Sequence, residues 1–252
     1  MYNVIHVDEK WFYMTRKNEK YYLLLDEEEP YRTCKSKNFV AKVMFLAAIA
    51  RPRFDEEGNV IFSGRIGIFP FITKEPAKRS GVNRVAGTME TKVMTSVKRD
   101  TVRSYYINKL LPAIFEKWPR EEINKPIIIQ QDNARTHIDP NDPEFCQAVQ
   151  QYGFNIKLMC QPNNSPDLNV LDLGFFRAIQ SLKYKEASRT IDELIGGVQK
   201  AFETFSVTKS DYIFWTLQLC MRSVLEEKCG NKYKIIHRCF EETGTITSTN
   251  KM

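Results

Sequence analysis

The stretch from Ala41 to Phe54, AKVMFLAAIARPRF, constrains the fold more than any other. Its apolar residues run almost without a break. A strand with one face in water alternates apolar and polar side chains, so a continuous run marks a strand covered on both faces. Covering both faces needs a layer of structure on each side of a sheet. With 252 residues and 42% hydrophobic content, the chain has enough material for such a core.

The neighbouring segments supply the rest of the sheet. VIHVDEKWFYM, Val4 to Met14, is rich in β-branched and aromatic residues and predicts a first strand. KYYLLLDEEEP, residues 20–30, predicts a second, stopped by an acidic run and Pro30. VIFSGRIGIFPFI predicts an extra strand or two, and its closeness in sequence suits antiparallel hairpins. KPIIIQQDN and FNIKLMCQP read as further strands. Between them, DTVRSYYINKLLPAIFEKW repeats apolar residues at helical spacing, with Asp100 as its N-cap and a kink at Pro112. DPEFCQAVQQYG predicts a short helix ended by Gly153. NNSPDLNVLDLGFFRAIQSLKY turns through Pro166 into another. Thr190 and Glu193 form a capping box for a helix, and Thr208 with Asp211 a weaker one for the next. Lys74 to Lys98 is basic and weakly patterned, and reads as a long exposed loop. The order predicts an α/β protein with a mixed sheet.

The net charge of +6 is compatible with a polyanionic partner. None of the six cysteines forms C-x-x-C, and the spacing of Cys220, Cys229 and Cys239 beside His237 completes no zinc motif. All six read as reduced thiols of an intracellular protein. No apolar run approaches the roughly 20 residues of a membrane span, and the amino terminus enters strand pattern at once, without a targeting peptide. Trp11, Trp118 and Trp215 fit core packing.

The chemistry lies in the carboxylates. Asp8 follows Ile5 and Val7 on the first strand, Asp132 ends IIIQQ, and Asp172 opens a helix. If the helical crossover returns the fourth main strand beside the first, Asp8 and Asp132 stand side by side. Like charges that close disfavour one another unless a cation neutralises them. Oxygen ligands without soft donors suit Mg²⁺ or Mn²⁺, and two such ions roughly 3.5–4 Å apart serve phosphoryl transfer. Glu9 points by alternation to the other face. Arg135, beside Asp132, is a phosphate candidate. His137 reads equally as a helper at the metal site, a phosphate contact or a surface-loop histidine. Asn133 and Asn169 either position ligands or form turns.

HVDEKWFYM, KVMFLAAIARPRFD, IGIFPF, KEPAKR, QQDNARTH and NNSPDLNVLDLGFF follow one another in an order that resembles the catalytic domain of mariner-like DNA transposases, most closely the plant-type branch. DELIGGVQKAF and TLQLCMRSVLEEKCGNKYKI extend the resemblance to about residue 236. It implies a ribonuclease H-like mixed five-stranded sheet flanked by helices, with an extra strand or hairpin and C-terminal helices. It also implies an Asp-Asp-Asp site holding two Mg²⁺ or Mn²⁺ ions. Asp8 and Asp132 match the first two acids. For the third, Asp167 gives a spacing of 34 (167 − 132 − 1), the animal pattern, and Asp172 gives 39 (172 − 132 − 1), the plant-type pattern. In the family the third acid follows the Ser-Pro-Asp-Leu turn by five residues, which is Asp172. On a continuous helix, residues five apart diverge by about 140°, so Asp167 is expected to cap the helix instead.

The resemblance implies a nuclear, DDE/D-type transposase that cleaves DNA at element ends and joins the freed 3′-hydroxyl to target DNA, acting as a possible homodimer. Lys74, Lys78 and Arg79, with Arg135 and His137, are its expected DNA contacts. The expected organisation is a catalytic domain over 1–185, a helical extension over 186–240 and a flexible tail over 241–252. The upstream helix-turn-helix region of the family is absent before Asp8. That leaves a catalytic fragment, or a remnant that binds DNA or a partner without cutting.

Overall fold

The computed structural model describes residues 1–14, 40–81, 84–151, 153–184 and 188–227. The strand expected at 20–30, Cys34, Cys229, His237, Cys239 and the tail lie outside the described residues. Nine strands and six α-helices are described. In chain order the strands and helices are β1 (Val4–Tyr13), β2 (Lys42–Ala50), β3 (Arg53–Phe54), β4 (Val60–Phe62), β5 (Arg65–Pro70), β6 (Ile72–Pro76), β7 (Met89–Val93), α1 (Arg99–Tyr105), α2 (Leu111–Lys117), β8 (Ile127–Gln131), α3 (Pro143–Gln150), β9 (Ile156–Cys160), α4 (Phe176–Lys183), α5 (Ile191–Thr204) and α6 (Val207–Glu226).

The main sheet has five strands in the order β5-β2-β1-β8-β9. β1 and β2 are antiparallel, as are β2 and β5, while β1, β8 and β9 run parallel. The sheet is therefore mixed, as the pattern predicts. β2 lies inside it and is covered on both faces. Leu46, Ala48 and Ala50 pack with Tyr106, Leu110 and Ile114 of the α1–α2 layer. Val43, Phe45, Ala47 and Ile49 pack with Phe176, Val198 and Phe214 of the α4–α6 layer. The unbroken apolar run is thus two interleaved faces. The turn before β5 depends on Gly64, whose φ of +75° and 2.1 Å clearance from a would-be Cβ to the Ala50 carbonyl oxygen exclude other residues.

Several local expectations change. The chain over 74–98 is not a plain loop, because β6 and β7 pair as a hairpin, with Thr73 opposite Lys92 and Glu75 opposite Glu90. Thr91 of that hairpin hydrogen-bonds Asp192 at the start of α5 (2.6 Å). Asp100 does not cap α1. Lys98 holds that position, and Asp100 lies in the first turn, paired with Arg103 (2.8 Å). Pro112 is the second residue of α2. A π-helical turn, Tyr106–Leu110, precedes α2, a way to absorb the amide proton proline lacks. Asp142 caps α3, accepting from the Phe145 amide (3.1 Å). Thr190 caps α5 as expected, but Ser206 rather than Thr208 caps α6. Asp211 instead binds Arg51 (2.8 Å) and the indole of Trp215 (3.1 Å). Trp118 is buried in the core, whereas Trp215 is 46% exposed and lies outside it.

His6 is buried between β1 and α6, edge-on to Phe214 at 5.8 Å, and its Nδ1 has no partner. Burial, reinforced by the amino-terminal charge, lowers its pKa from 6.5 to about 4. The unfolded chain takes up the proton first, so this contribution to stability is complete above pH 6.5 and is lost as pH falls towards 4. Between pH 7 and pH 5 the wild type should lose about 2 kcal/mol more than His6→Leu. Urea unfolding of both proteins at the two pH values measures it, and equal losses would contradict it.

Candidate active site

The parallel pairing of β1 with β8 sets Val4 opposite Ile128, Ile5 opposite Ile129 and His6 opposite Gln130. Continued by two residues, this register sets Asp8 opposite Asp132. Alternation puts Asp8 on the α4–α6 face of β1, with His6 and Lys10, and Glu9 on the α1–α2 face, with Val7. Asp132 follows the last residue of β8 and its Oδ1 accepts from the Ala134 amide (2.9 Å).

Asp172 comes from across the sheet end. The chain leaves β9 and makes a tight turn, Pro166–Leu168. It extends at Asn169 and enters a π-helical turn, Leu171–Phe175, that carries Asp172. π turns are rare and recur at functional sites. The segment is anchored from the sheet, because Gln130 Nε2 donates to the Leu168 carbonyl (3.0 Å). Asp167 and Asp172 therefore do not share a continuous helix, and the 140° divergence does not apply to them. Asp167 is also not a cap, since the Asn169 side chain accepts from the Leu171 amide (3.0 Å). Asp167 instead lies towards α6, where its charge, after burial, raises the Cys220 thiol.

Asp172 and Asp8 lie close enough to act on one another's ionisation. Burial, then the charges of Asp172, Glu9 and Asp132, push Asp8 up to about 8 against the opposing bond from the Glu9 amide. Burial raises Asp172 as well, opposed by Asp8 and by Lys10. Asp8 Oδ1 accepts from the Glu9 amide (2.7 Å), and Asp8 Oδ2 from Asn169 Nδ2 (2.7 Å). Asn169 is itself buried, so it is a fixed donor holding Asp8 and not merely a turn residue.

Asp132 and Asp172 face a cleft of about 520 Å³, walled by Asn133, Ala134, Gln161 and the 162–166 turn. Asn133 crosses to Asn163 (2.9 Å) at its rim. As the side chains stand, no group of three His, Cys, Asp or Glu among the described residues closes tightly enough to hold a metal ion. The donor chemistry still fits a hard divalent cation. Burial and mutual charge raise two neighbouring acids where a cation would neutralise both, and a third carboxylate bears on them.

The other candidates fall elsewhere. His137 is buried, with Nε2 2.9 Å from Glu9 Oε2 and Nδ1 2.7 Å from Asp132 Oδ1. Burial alone would lower it. The bond to Glu9, the Glu9 charge and Asp132 outweigh burial and raise it to about 9. With both ring nitrogens engaged, His137 is not placed as a phosphate contact. Arg135 is exposed on the same loop. Lys78 and Arg79 line a separate groove of about 350 Å³ on the β6–β7 hairpin with Arg84 and Lys92. Glu90 there pairs with Arg84 and Lys92. Lys74 is exposed on β6. Lys10 was not singled out in the sequence, although alternation places it on the face of Asp8. Its ammonium lies 5.3 Å from the Phe176 ring centroid and its charge acts on Asp172.

No protein-family model and no curated protein matches the sequence. Solved structures match by shape. The Mos1 mariner paired end complex with Mn gives a TM-score of 0.62 at 15% identity, covering 92% of this chain and 57% of the other. The Mos1 strand transfer complex gives 0.61 at 15%, covering 92% and 56%. The catalytic domain of Mos1 mariner transposase gives 0.57 at 13%, covering 92% and 85%. The chain thus spans just over half the length of the Mos1 chains in those complexes. At these identities the likeness is one of fold, and that fold is the ribonuclease H-like mixed five-stranded sheet with flanking helices.

The contact between Asp8 and Asp172 has a direct consequence. Asp172→Asn removes a like charge, so the Asp8 pKa should fall from about 8, while Asp167→Asn should leave it unchanged. Carboxyl-carbon NMR titration in chelator measures both, and a shift seen only in Asp167→Asn would reverse the assignment of the third acid.

Proposed function

We propose that this chain is the catalytic core of a mariner-like DNA transposase of the plant-type, Asp-Asp-39-Asp branch. The observation that carries the reading is the gathering of Asp8, Asp132 and Asp172 at one end of paired parallel strands, on the fold of a transposase catalytic domain. Asp8, Asp132 and Asp172 would hold two Mg²⁺ or Mn²⁺ ions. Those ions would polarise the scissile phosphate and stabilise the leaving oxygen. Two of the Mos1 structures were obtained with Mn and with Mg.

The protein's own groups supply alignment. Asn169 fixes Asp8, Lys10 bears on Asp172, and the cleft beside Asp132 is open enough to admit a backbone phosphate. Once a strand end is cut, the same site would align its 3′-hydroxyl against a target phosphate, where orientation supplies much of the rate. DNA is held through phosphates by exposed cations, with Arg135 near the cleft and Lys74, Lys78 and Arg79 on the hairpin. Recognition of element ends then belongs to another module. Work on paired ends would call for two copies, and the setting for this chemistry is the nucleus.

One observation favours a second reading, a remnant that binds DNA without cutting: the three acids do not close round an ion as they stand. Nicking of supercoiled plasmid in Mg²⁺ or Mn²⁺ separates the two. The core reading expects nicking that falls on the order of 100-fold or more in Asp8→Asn, Asp132→Asn or Asp172→Asn, and stays within about twofold in Asp167→Asn, which touches none of the site. Equal background nicking in all five proteins would contradict it. DNA affinity should fall steeply with salt in either reading, and replacing Lys78 and Arg79 with Ala should reduce the log–log slope by about 2. An unchanged slope would remove the hairpin from the interface.

A further inference from the structure

A carboxylate inside a protein is costly unless it is paired. Glu9 is such a group. Its side chain is 10% exposed, Oε2 meets His137 Nε2 at 2.9 Å, and Oε1 is buried without a partner. The imidazole is 3% exposed. Its other nitrogen, Nδ1, lies 2.7 Å from Asp132 Oδ1 and 3.1 Å from the Asp132 carbonyl oxygen. Both ring nitrogens thus face carboxylate oxygens, which accept and do not donate, so the ring donates on both sides. Asp132 Oδ1 also accepts from the Ala134 amide (2.9 Å). It therefore has two donors, while Oδ2 has no hydrogen-bond partner among the described residues.

We propose that Glu9 and His137 form a positioning pair for Asp132: Glu9 fixes the ring, the ring fixes Oδ1, and Oδ2 is left as the oxygen presented to a divalent cation. The inference rests on the cation-holding site proposed above. Anchoring of the loop does not account for the pair, because the loop after β8 is secured without it. Gln131 Nε2 donates to the Ile138 carbonyl (2.8 Å), Asn133 bonds Asn163 (2.9 Å), and Arg99 donates to the Arg135 carbonyl (2.9 Å). Two apolar side chains would fill the same space without removing a carboxylate from water. A partner of this kind behind a metal-holding group sets its orientation and its basicity.

The test is Mn²⁺ binding to the purified chain without DNA, followed by electron paramagnetic resonance, with thermal melting as the control for folding. Glu9→Leu combined with His137→Phe replaces both buried polar groups by apolar ones and should stay folded. It should bind Mn²⁺ about tenfold or more weakly. Glu9→Gln keeps an acceptor for the ring and should bind within about twofold of wild type. Glu9→Ala frees the ring and should fall between them. In nicking assays the double variant should lose kcat with KM for DNA unchanged. A folded double variant that binds Mn²⁺ like wild type overturns the positioning role and leaves the proposed function standing. Unchanged binding in Glu9→Ala does the same if the double variant does not fold. A wild-type chain that binds Mn²⁺ no better than Asp8→Asn overturns the cation site itself, and the positioning role with it.

Discussion

The ladder of hydrogen bonds between β1 and β8 decides where the acids of this protein meet. Its register carries Asp8 on the first strand to the level of Asp132 at the end of the fourth strand of the main sheet in chain order, although 123 residues separate them in sequence (132 − 8 − 1). On the other side β2 pins β1 in antiparallel register and places Ala47 opposite Asp8. A methyl group there leaves room for the carboxylate and its neighbours. A slip of one residue in either ladder would turn Asp8 to the α1–α2 face and bring Glu9 in its place. The apolar layers on both sides of β2 make that slip costly, because every core side chain of the strand would change faces.

This rigidity lets the protein hold groups that repel. The charges of Asp172, Glu9 and Asp132 all bear on Asp8, and with burial they raise its pKa. Lys10, Asn169 and His137 relieve part of the repulsion. A divalent cation would relieve more, since it places positive charge between the acids themselves rather than at their edge. Asp172 arrives on a π turn. The turn is braced from the sheet by Gln130 and by Asn169, so Asp172 is delivered to Asp8 with little freedom to retreat.

Much of this was legible in the sequence because it depends on period and order. The unbroken run of β2 gave the covered strand, and the alternation in β1 separated Asp8 from Glu9. The choice of Asp172 over Asp167 rested partly on a continuous helix between them, which Asn169 breaks. What was not legible depends on contacts far apart in the chain. Nothing local marks His137 as buried, since its environment is made by Glu9, 128 positions away. Asn169 resembles any turn asparagine until its amide is seen on Asp8. The β6–β7 hairpin was missed because its strands, ITKEP and METKV, carry charges and lie mostly exposed, so they lack the apolar alternation that announces a strand. Asp100 and Thr208 look like caps by residue type, but Lys98 and Ser206 take those positions.

The parallel ladder gathers these acids, and in the proposed function they hold divalent cations. A crystal of the chain grown in Mn²⁺, with anomalous scattering collected at the manganese edge, tests it most directly. A manganese peak is expected between Asp8 and Asp172, with Oδ2 of Asp132 turned into its coordination sphere and Asp167 outside it. A crystal in which manganese is absent from between Asp8 and Asp172, or bound elsewhere, would contradict it.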